Sequence, residues 1–341
     1  MLALIFAAVL VAAGAAASPA EAHGPVAPVA LDYLARVSRA PQGLETKVVD
    51  GDQRMWLRVP AGETVVVLDY RGAPYLRFSR VGVEVNHNSA MYYLNMTPFA
   101  ETPPANLSPR MAPSWAPVSS GHEYGWHDGR LHALAAVARA PGASFVGRWR
   151  IPVLVDGHPA AISGGLWHAD APSVVWFWPI AVLFLCALAA WRVGRPALDR
   201  WTARLLALAA LGAITAAALG RGLHGRPVVS VLQLVELGIV SAFVGWGVYR
   251  VVFGRPGFFS YLVIAVVALW EGGELIPTLL NGFVLIAVPA FVARAASVVA
   301  LGAAAGLLLL VFRLHDYEQA SGPGAQSMGE LEEDEDAWEL A

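Results

Sequence analysis

A carboxylate and an imidazole stand two positions apart near the middle of the chain, as Asp156 and His158 with Gly157 between them. If the backbone stays extended here, both side chains project to the same side, because alternate residues of a strand share one face. A carboxylate and an imidazole held together supply two ligands of a small site for a transition-metal ion. The sequence therefore makes Asp156 and His158 candidate metal ligands.

A third ligand is predicted at the mature N-terminus. Residues 2–17 are apolar and Ala-rich, and Ala20-Glu21-Ala22 is a small-x-small cleavage pattern, so residues 1–22 are predicted to be a signal peptide. Cleavage there makes His23 the first residue, whose α-amine and imidazole form a chelate that suits Cu(II). Cleavage after Ala17 is the alternative, in which His23 is an ordinary residue of the N-terminal stretch.

The stretch Trp149-Arg150-(x)5-Asp156-Gly157-His158-Pro159-(x)4-Gly164 resembles the last hairpin of the CopC family of periplasmic copper-binding β-sandwiches. The mature chain of that family begins with His, and its Cu(II) ligands are that His together with the Asp and His of an Asp-x-His pair. The resemblance covers this hairpin and the N-terminus, and it implies His23, Asp156 and His158 as the copper ligands here. Some relatives are fused to a CopD-type membrane domain, which agrees with the apolar second half of this chain.

A second group of side chains able to bind a metal lies in the stretch 121–133, Gly-His-Glu-Tyr-Gly-Trp-His-Asp-Gly-Arg-Leu-His-Ala. If Asp128-Gly129 is a two-residue hairpin loop, the two paired strands place His127 and His132 diagonally on one face, close enough to share a metal. Four residues are candidates to bind a second metal ion or to hold its ligands in place: Glu123, His127, Asp128 and His132. The alternative is a polar solvent face with an Arg–carboxylate pair.

The segment 23–172 is predicted to be an exported all-β domain, a sandwich of the Ig/cupredoxin-like kind. Short strands separated by turn sequences such as Asp50-Gly51-Asp52 are typical of sandwiches and barrels. Strands are expected at 46–49, 55–59, 63–70, 75–80, 81–86, 91–95, 149–155 and 160–167. The Pro-rich stretch 97–118 is expected to be a surface loop, and 29–37 a short helix.

The composition indicates that much of the chain lies in lipid. Of its 341 residues, 57% are hydrophobic and 14% are charged, whereas soluble domains average about 25% charged residues. Residues 173–314 are predicted to be an α-helical membrane domain with five spans, at about 174–192, 204–223, 229–253, 258–280 and 283–312. Arginines concentrate in the first and third connections and after the last span, which predicts that these parts are cytoplasmic.

The predicted spans contain ionisable residues, which are costly in lipid and therefore tend to pair or to line a polar path. Glu271 and Glu274 share a helix face because they are three residues apart. Glu236 in the third span and Arg294 near the middle of the fifth complete a predicted membrane polar cluster. Two interpretations remain open, a site where a cation enters the membrane domain and an Arg–Glu pair that fixes helix packing.

Charge and cysteine content narrow the function classes. The net charge is −3, so a broad nucleic-acid-binding surface is not expected. The only cysteine, Cys186, lies in a predicted membrane helix, which excludes an intramolecular disulfide and a thiolate zinc site. The acidic tail, 315–341, is expected to be disordered and cytoplasmic. We therefore expect a multi-pass protein of the cytoplasmic membrane with an extracytoplasmic N-terminal domain.

These observations favour a membrane-anchored Cu(II)-binding protein for copper uptake, handling or resistance. Its expected partners are the lipid bilayer, a copper ion and another copper-handling or membrane protein. The alternative is a metal-independent exported β-sandwich that serves as an interaction or assembly module on a membrane anchor. A copper oxidase or monooxygenase is a third hypothesis, but the sequence indicates neither an open coordination position nor a substrate cleft. A protein that is not an enzyme is therefore expected.

Overall fold

The structure is a computed structural model, which describes residues 28–96, 100–132, 144–254 and 256–320. The chain divides into two compact units. The first, here called the β unit, contains Tyr33–Ala169, and the second, the helical unit, contains the chain from Asp170 onward together with the short segment Val29–Asp32. The predicted order, antiparallel sheets followed by a helical part, is confirmed.

The described part of the β unit contains a seven-stranded and a three-stranded sheet, both antiparallel. The larger sheet is made of β2 (Tyr33–Arg39), β5 (Val65–Leu68), β6 (Pro74–Ser79), β7 (Gly82–Asn86), β8 (Trp115–Ser119), β10 (Phe145–Val155) and β11 (His158–His168). Its spatial order is β2-β11-β10-β5-β6-β7-β8. The smaller sheet is made of β3 (Glu45–Val49), β4 (Arg54–Arg58) and β9 (Glu123–His127), in the order β3-β4-β9.

Both sheets bury their apolar faces in one hydrophobic cluster. Trp149, Ile151 and Val153 of β10 are buried at alternate positions, as the period-two pattern predicts. Met55 and Leu57 of β4 enter the same cluster from the smaller sheet. The common core thus fixes the register of both sheets, since a slip by one residue would turn each apolar set to the outside.

Two local predictions for the first part of the chain are wrong. The stretch 29–37, expected to be a helix, forms β1 (Ala30–Leu31) and most of β2, because pairing with distant strands overrides its local preference. The stretch 91–95, expected to be a strand, lies mainly in helix α1 (Ala90–Leu94). The Ser89 side chain caps this helix by accepting a hydrogen bond from the Met91 N–H at 3.3 Å.

The helical unit contains α2 (Trp178–Val193), α3 (Pro196–Gly222), α4 (Val231–Val252), α5 (Phe258–Glu274), α6 (Pro277–Leu280) and α7 (Ala290–Ala320). Among the described residues, four helical segments are long and apolar enough to cross a bilayer: Val174–Val193, Pro196–Gly222, Val231–Val252 and Ala290–Tyr317. This agrees with insertion in a membrane. Small residues allow close packing, as where an added Cβ on Gly302 of α7 would lie 3.0 Å from the Ile180 Cα of α2.

Two of the five predicted spans, the fourth and the fifth, need correction. Helix α5 has 17 residues and ends at Glu274, so 258–280 is not one continuous span. Pro277 begins the separate short helix α6, and Pro289 directly precedes α7, where proline is tolerated because the first helical N–H groups have no partner within the helix. The predicted span 283–312 therefore begins as extended chain and becomes helical only at Ala290.

A short strand near the start of the described chain belongs to the helical unit. β1 pairs antiparallel with β12 (Phe283–Val284), with Ala30 opposite Val284. The Leu285 N–H donates to the Val29 carbonyl oxygen at 2.8 Å. The Asp32 carboxylate accepts a hydrogen bond from the Gly282 N–H at 3.1 Å. Val29 also enters the hydrophobic core of the helices, so this segment is part of their packing.

Candidate functional site

Asp156 and Gly157 form the tight turn between β10 and β11. Val155 and His158 are directly opposite each other in the hairpin, so the loop consists of Asp156 and Gly157 alone. Their φ angles are 48° and 80°, as in the type I′ turns that Asp-Gly favours. The chain is therefore not extended at this point, so the condition on which Asp156 and His158 were expected to share one side of a strand is not met.

The Asp156 carboxylate is held by the neighbouring strand connection. Its Oδ1 accepts a hydrogen bond from the Thr64 N–H at 2.9 Å, while the Asp156 N–H donates to the Thr64 carbonyl oxygen at 2.8 Å. Asp156 and His158 are both exposed at the hairpin tip. The third predicted ligand, His23, lies outside the described residues, so the structure brings two of the three candidates to one turn.

The predicted hairpin at Asp128-Gly129 does not form. β9 ends at His127, and Asp128 caps a single turn of 3-10 helix, Gly129–Leu131. The two imidazoles nevertheless meet, because this helical turn brings His132 back to His127 with 5.2 Å between their ring centroids and 44° between their planes. Both side chains are half-buried.

Asp128 and Glu123, the two carboxylates predicted beside these imidazoles, are engaged elsewhere. Asp128 is fully buried and accepts hydrogen bonds from Trp126 Nε1 at 2.9 Å and from the Arg130 guanidinium at 2.7 and 2.8 Å. Glu123 pairs with Arg58 at 2.6 Å. Asp128 therefore organises the turn. Within the described ranges, no three His, Cys, Asp or Glu side chains are arranged to hold a metal ion.

Tyr70 is also part of this turn, although no sequence pattern indicates it. Its hydroxyl accepts a hydrogen bond from the Gly129 N–H at 2.8 Å, and its ring lies 5.2 Å from the Arg130 guanidinium, a cation–π distance. Burial, followed by the charge of Asp128, raises the pKa of the Tyr70 phenol. Tyr70 therefore remains a neutral hydrogen-bond acceptor for the turn.

In the helical unit, Glu271 pairs with a different arginine from the one expected. Glu271 is buried and accepts a short hydrogen bond from Arg221, at the end of α3. Arg221 also lies 3.8 Å from the Glu274 carboxylate, and both Glu236 and Glu274 interact electrostatically with Glu271. Arg221, which is not among the predicted residues of this cluster, therefore supplies the counter-charge to Glu271 and Glu274.

Arg294 binds backbone carbonyl groups. Its Nε donates to the Thr278 carbonyl oxygen at 2.9 Å. Its Nη2 donates to the carbonyl oxygens of Asn281 at 3.4 Å and Gly282 at 3.1 Å. These acceptors lie at the end of α6 and in the extended segment after it, where helical hydrogen bonds are lacking. Arg294 therefore stabilises the break between α5 and α7.

A second charged group lies at the other end of α3. Asp199 is fully buried and accepts a hydrogen bond from the Tyr317 hydroxyl at 2.9 Å. Arg313 lies 3.4 Å from Asp199 and donates to the Tyr317 oxygen at 2.7 Å. Asp199 and Arg221 are 22 positions apart on one helix, which corresponds to about 33 Å. Arg200 and Arg204 also lie between them, so the uninterrupted apolar run of α3, residues 205–220, is about 24 Å long, somewhat shorter than the ~30 Å hydrocarbon core of a bilayer.

Comparisons with known proteins give no relative. No protein-family model, no curated protein and no solved structure matches this chain.

Proposed function

We propose that this chain is a membrane-anchored Cu(II)-binding protein for copper uptake, handling or resistance. In this proposal the β unit is an extracytoplasmic Ig/cupredoxin-like sandwich, and the helical unit anchors it in the cytoplasmic membrane with a cytoplasmic C-terminus. The ligands are the α-amine and imidazole of a mature N-terminal His23, the carboxylate of Asp156 and the imidazole of His158. The protein acts by binding and handing on copper, without enzymatic chemistry.

The observation that carries this proposal is the preorganised hairpin tip. The Thr64 N–H bonds one oxygen of Asp156, and a carboxylate retains a second oxygen with which to coordinate a metal. His158 begins β11 directly across the turn and is exposed. Ligands whose own conformation is fixed by hydrogen bonds lose less entropy on binding a metal. Nitrogen and oxygen ligands without thioether suit Cu(II).

The proposed orientation rests on the distribution of charge in the helical unit. Arg192, Arg195, Arg200 and Arg204 surround the connection between α2 and α3, and Arg313 lies near the same end of α3 through its contact with Asp199. The positive-inside rule makes this the cytoplasmic end. The Arg221–Glu271 group then lies at the extracytoplasmic end.

A metal-independent interaction or assembly module is the second candidate. It is favoured by the structural role that the turn gives to Asp156, whose positive φ and bond to Thr64 stabilise the hairpin without any metal. Asp-Gly is a common solution for such a turn, so this role by itself accounts for both residues. In this case the N-terminal residue and His158 contribute nothing to metal affinity.

A Cu(II) titration of the full-length protein in detergent, with an authentic His23 amino terminus, tests the proposal. We expect one tightly bound equivalent whose electron paramagnetic resonance spectrum shows nitrogen-rich tetragonal coordination. One extra residue before His23, or His158→Gln, should weaken this equivalent by at least about tenfold, since each removes a ligand (~1.4 kcal/mol or more). His122→Gln is the matched control. No tight binding would support the metal-independent module, and tight binding that is indifferent to both changes would overturn this ligand set.

A further inference from the structure

The His127–His132 pair has the spacing of two imidazoles bound to one tetrahedral metal ion. A Zn–N bond of about 2.0–2.1 Å, with the ion in the plane of the imidazole, puts the centre of each ring about 3.2 Å from the ion. Two imidazoles whose bonds to the ion form a tetrahedral angle then have centroids about 5.2 Å apart. The observed separation is 5.2 Å. Two cis ligands at the right angle of a tetragonal Cu(II) site would instead have centroids about 4.5 Å apart by the same geometry.

The hydrogen bond of His132 fixes the tautomer that a metal requires. Its Nδ1 lies 3.2 Å from the Asp52 carbonyl oxygen. A carbonyl oxygen only accepts, so Nδ1 carries the proton and the lone pair of the neutral ring is on Nε2. Metal-bound histidines commonly donate their second N–H to a backbone carbonyl or carboxylate, which orients the ring and raises its basicity.

The backbone on both sides of the pair is fixed. The Asn95 side-chain amide donates to the His127 carbonyl oxygen at 2.9 Å, and the Asp128 N–H donates to the Gln53 carbonyl oxygen at 3.2 Å. Leu131, directly before His132, is fully buried. The two rings are therefore presented by a rigid frame, which is the condition for a preformed site.

The local charge favours a cation. Asp52, whose backbone carbonyl oxygen lies 3.2 Å from His132 Nδ1, is 5% exposed, and its Oδ1 accepts a hydrogen bond from Gln53 Nε2 at 2.7 Å. An anionic side chain in a poorly solvated position attracts a divalent ion more strongly than one in water. Trp126 and Leu131, which directly precede the two histidines in the chain, are buried and apolar.

We propose that His127 and His132 bind a Zn(II) ion, with water or a small anionic ligand in the remaining coordination positions. The two imidazoles are the protein ligands that the described residues provide. Two protein ligands leave the ion exchangeable and open, in contrast to closed four-ligand structural sites. This site is independent of the proposed copper site, because it uses none of its ligands.

The test uses full-length protein in detergent whose N-terminus carries one extra residue before His23. This extension disables the proposed copper site, so failure of one proposal is distinguishable from failure of the other. Zn(II) is titrated by calorimetry, and Co(II) is added as a spectroscopic probe of tetrahedral coordination. We expect one equivalent of Zn(II) and the intense visible absorption of tetrahedral Co(II).

Three variants and one control decide the outcome. His127→Gln and His132→Gln should each weaken Zn(II) binding at least tenfold, whereas His132→Cys should retain it, because a thiolate is also a zinc ligand. His158→Gln is the control and should bind as the parent does. Unchanged binding in both Gln variants, or loss in His158→Gln, would overturn the proposal.

A measurement on the unmutated side chains protects the test from misfolded variants. Zn(II) should slow the modification of His127 and His132 by diethyl pyrocarbonate, as resolved by peptide mass spectrometry, without slowing that of His122. Equal rates with and without Zn(II) at His127 and His132 would count against the site even if every variant failed to fold.

Discussion

The Tyr75 hydroxyl lies in the core of the β unit. The residue is 3% exposed, and its oxygen accepts a hydrogen bond from the Asn95 side-chain amide at 2.9 Å. Burial raises the pKa of this phenol far above its ordinary value, because the phenolate would lose its hydration, and the bond from Asn95 offsets only part of this. Unfolding exposes the phenol and returns its pKa to about 10.

Tyr75→Phe should therefore change the alkaline stability of the β unit. The folded state holds the Tyr75 proton more tightly than the unfolded state, so this stabilisation is complete below pH ~10 and declines as the pH rises above it. Below pH 9 the variant should be less stable by about 0.5–1.5 kcal/mol, because it loses the hydrogen bond. Above pH 10 this deficit should shrink.

Hydrogen exchange of β6 peptides in the full-length protein, measured at several pH values, gives the unfolding free energies. Tyr93→Phe, at a half-buried ring on α1, is the control for the loss of a tyrosine hydroxyl elsewhere in the β unit. If the stability deficit of Tyr75→Phe is the same below and above pH 10, burial of the phenol does not contribute to the pH dependence of stability as stated.

The contacts of the candidate site residues could not be predicted from the sequence. The proximity of His127 and His132 was predicted correctly, but from a hairpin that does not form. Asp-Gly is both a hairpin signal and a helix-capping signal, and the choice between them depends on Trp126 and Arg130, whose side chains bind Asp128. Such contacts arise only in the folded core.

At the scale of elements, Gly164 allows β11 to pass between its two neighbouring strands. A Cβ on Gly164 would lie 2.0 Å from the Arg36 carbonyl oxygen of β2 and 2.4 Å from Trp149 Cζ2 of β10. The register between β2 and β11 shifts next to this residue, between Ser163 and Gly164. The Trp149 indole also donates to the Gly165 carbonyl oxygen at 2.9 Å, which holds the ring over the glycines.

Gly164→Ala should separate β2 from β11. Because backbone and a buried indole both block the new methyl group, we expect a loss of about 1–3 kcal/mol, the usual cost of overpacking. Hydrogen exchange of β2 peptides should rise selectively. Gly62→Ala, where an added Cβ has no atom within 4 Å, is the matched control and should leave exchange unchanged. Equal exchange in the two variants would contradict this account.

Elements with strong periodicity were predicted well, and their ends and breaks were not. The alternation of β10 and the apolar length of α3 can be recognised without tertiary information. The segment between α6 and α7 depends instead on Arg294, which donates to the carbonyl oxygens of residues 278, 281 and 282, between 12 and 16 positions earlier. A sequence pattern contains no information on such a partner.

At the scale of the whole molecule, the β1–β12 pair joins the start of the described chain to the segment before α7. Hydrogen-bonded and non-hydrogen-bonded pairs alternate along an antiparallel ladder. Because the Leu285 N–H donates to the Val29 carbonyl oxygen, the next pair, Ala30 and Val284, is non-hydrogen-bonded. The Cα atoms of such a pair are about 4.5 Å apart. That distance permits a disulfide.

Ala30→Cys with Val284→Cys, in a Cys186→Ser background, should therefore form a disulfide on mild oxidation of the full-length protein. Cys186 is the chain's only cysteine, so the product is unambiguous and is measured by mass spectrometry of non-reduced peptides. Leu31→Cys with Val284→Cys is the control, because residues 30 and 31 point to opposite faces of the strand. Efficient cross-linking of the control pair alone would show a different register.

The helical unit joins two separate stretches of the sequence. The apolar composition after residue 172 indicates a membrane domain, and the helical unit begins nearby at Asp170. No composition change marks Val29–Asp32, because a segment of four residues is too short to carry a periodic signal. Its assignment depends on hydrogen bonds to residues 282–285.

The β1–β12 pair can form only late in synthesis. Asp32 and Gly282 are hydrogen-bonded across 250 positions, and translation at about 5–20 residues per second separates their appearance by tens of seconds. The β unit is fully synthesised during that interval, whereas β1 has no partner until β12 emerges. A nascent chain arrested before Phe283 would therefore present an unpaired strand edge, which a quality-control protease can bind as an added strand.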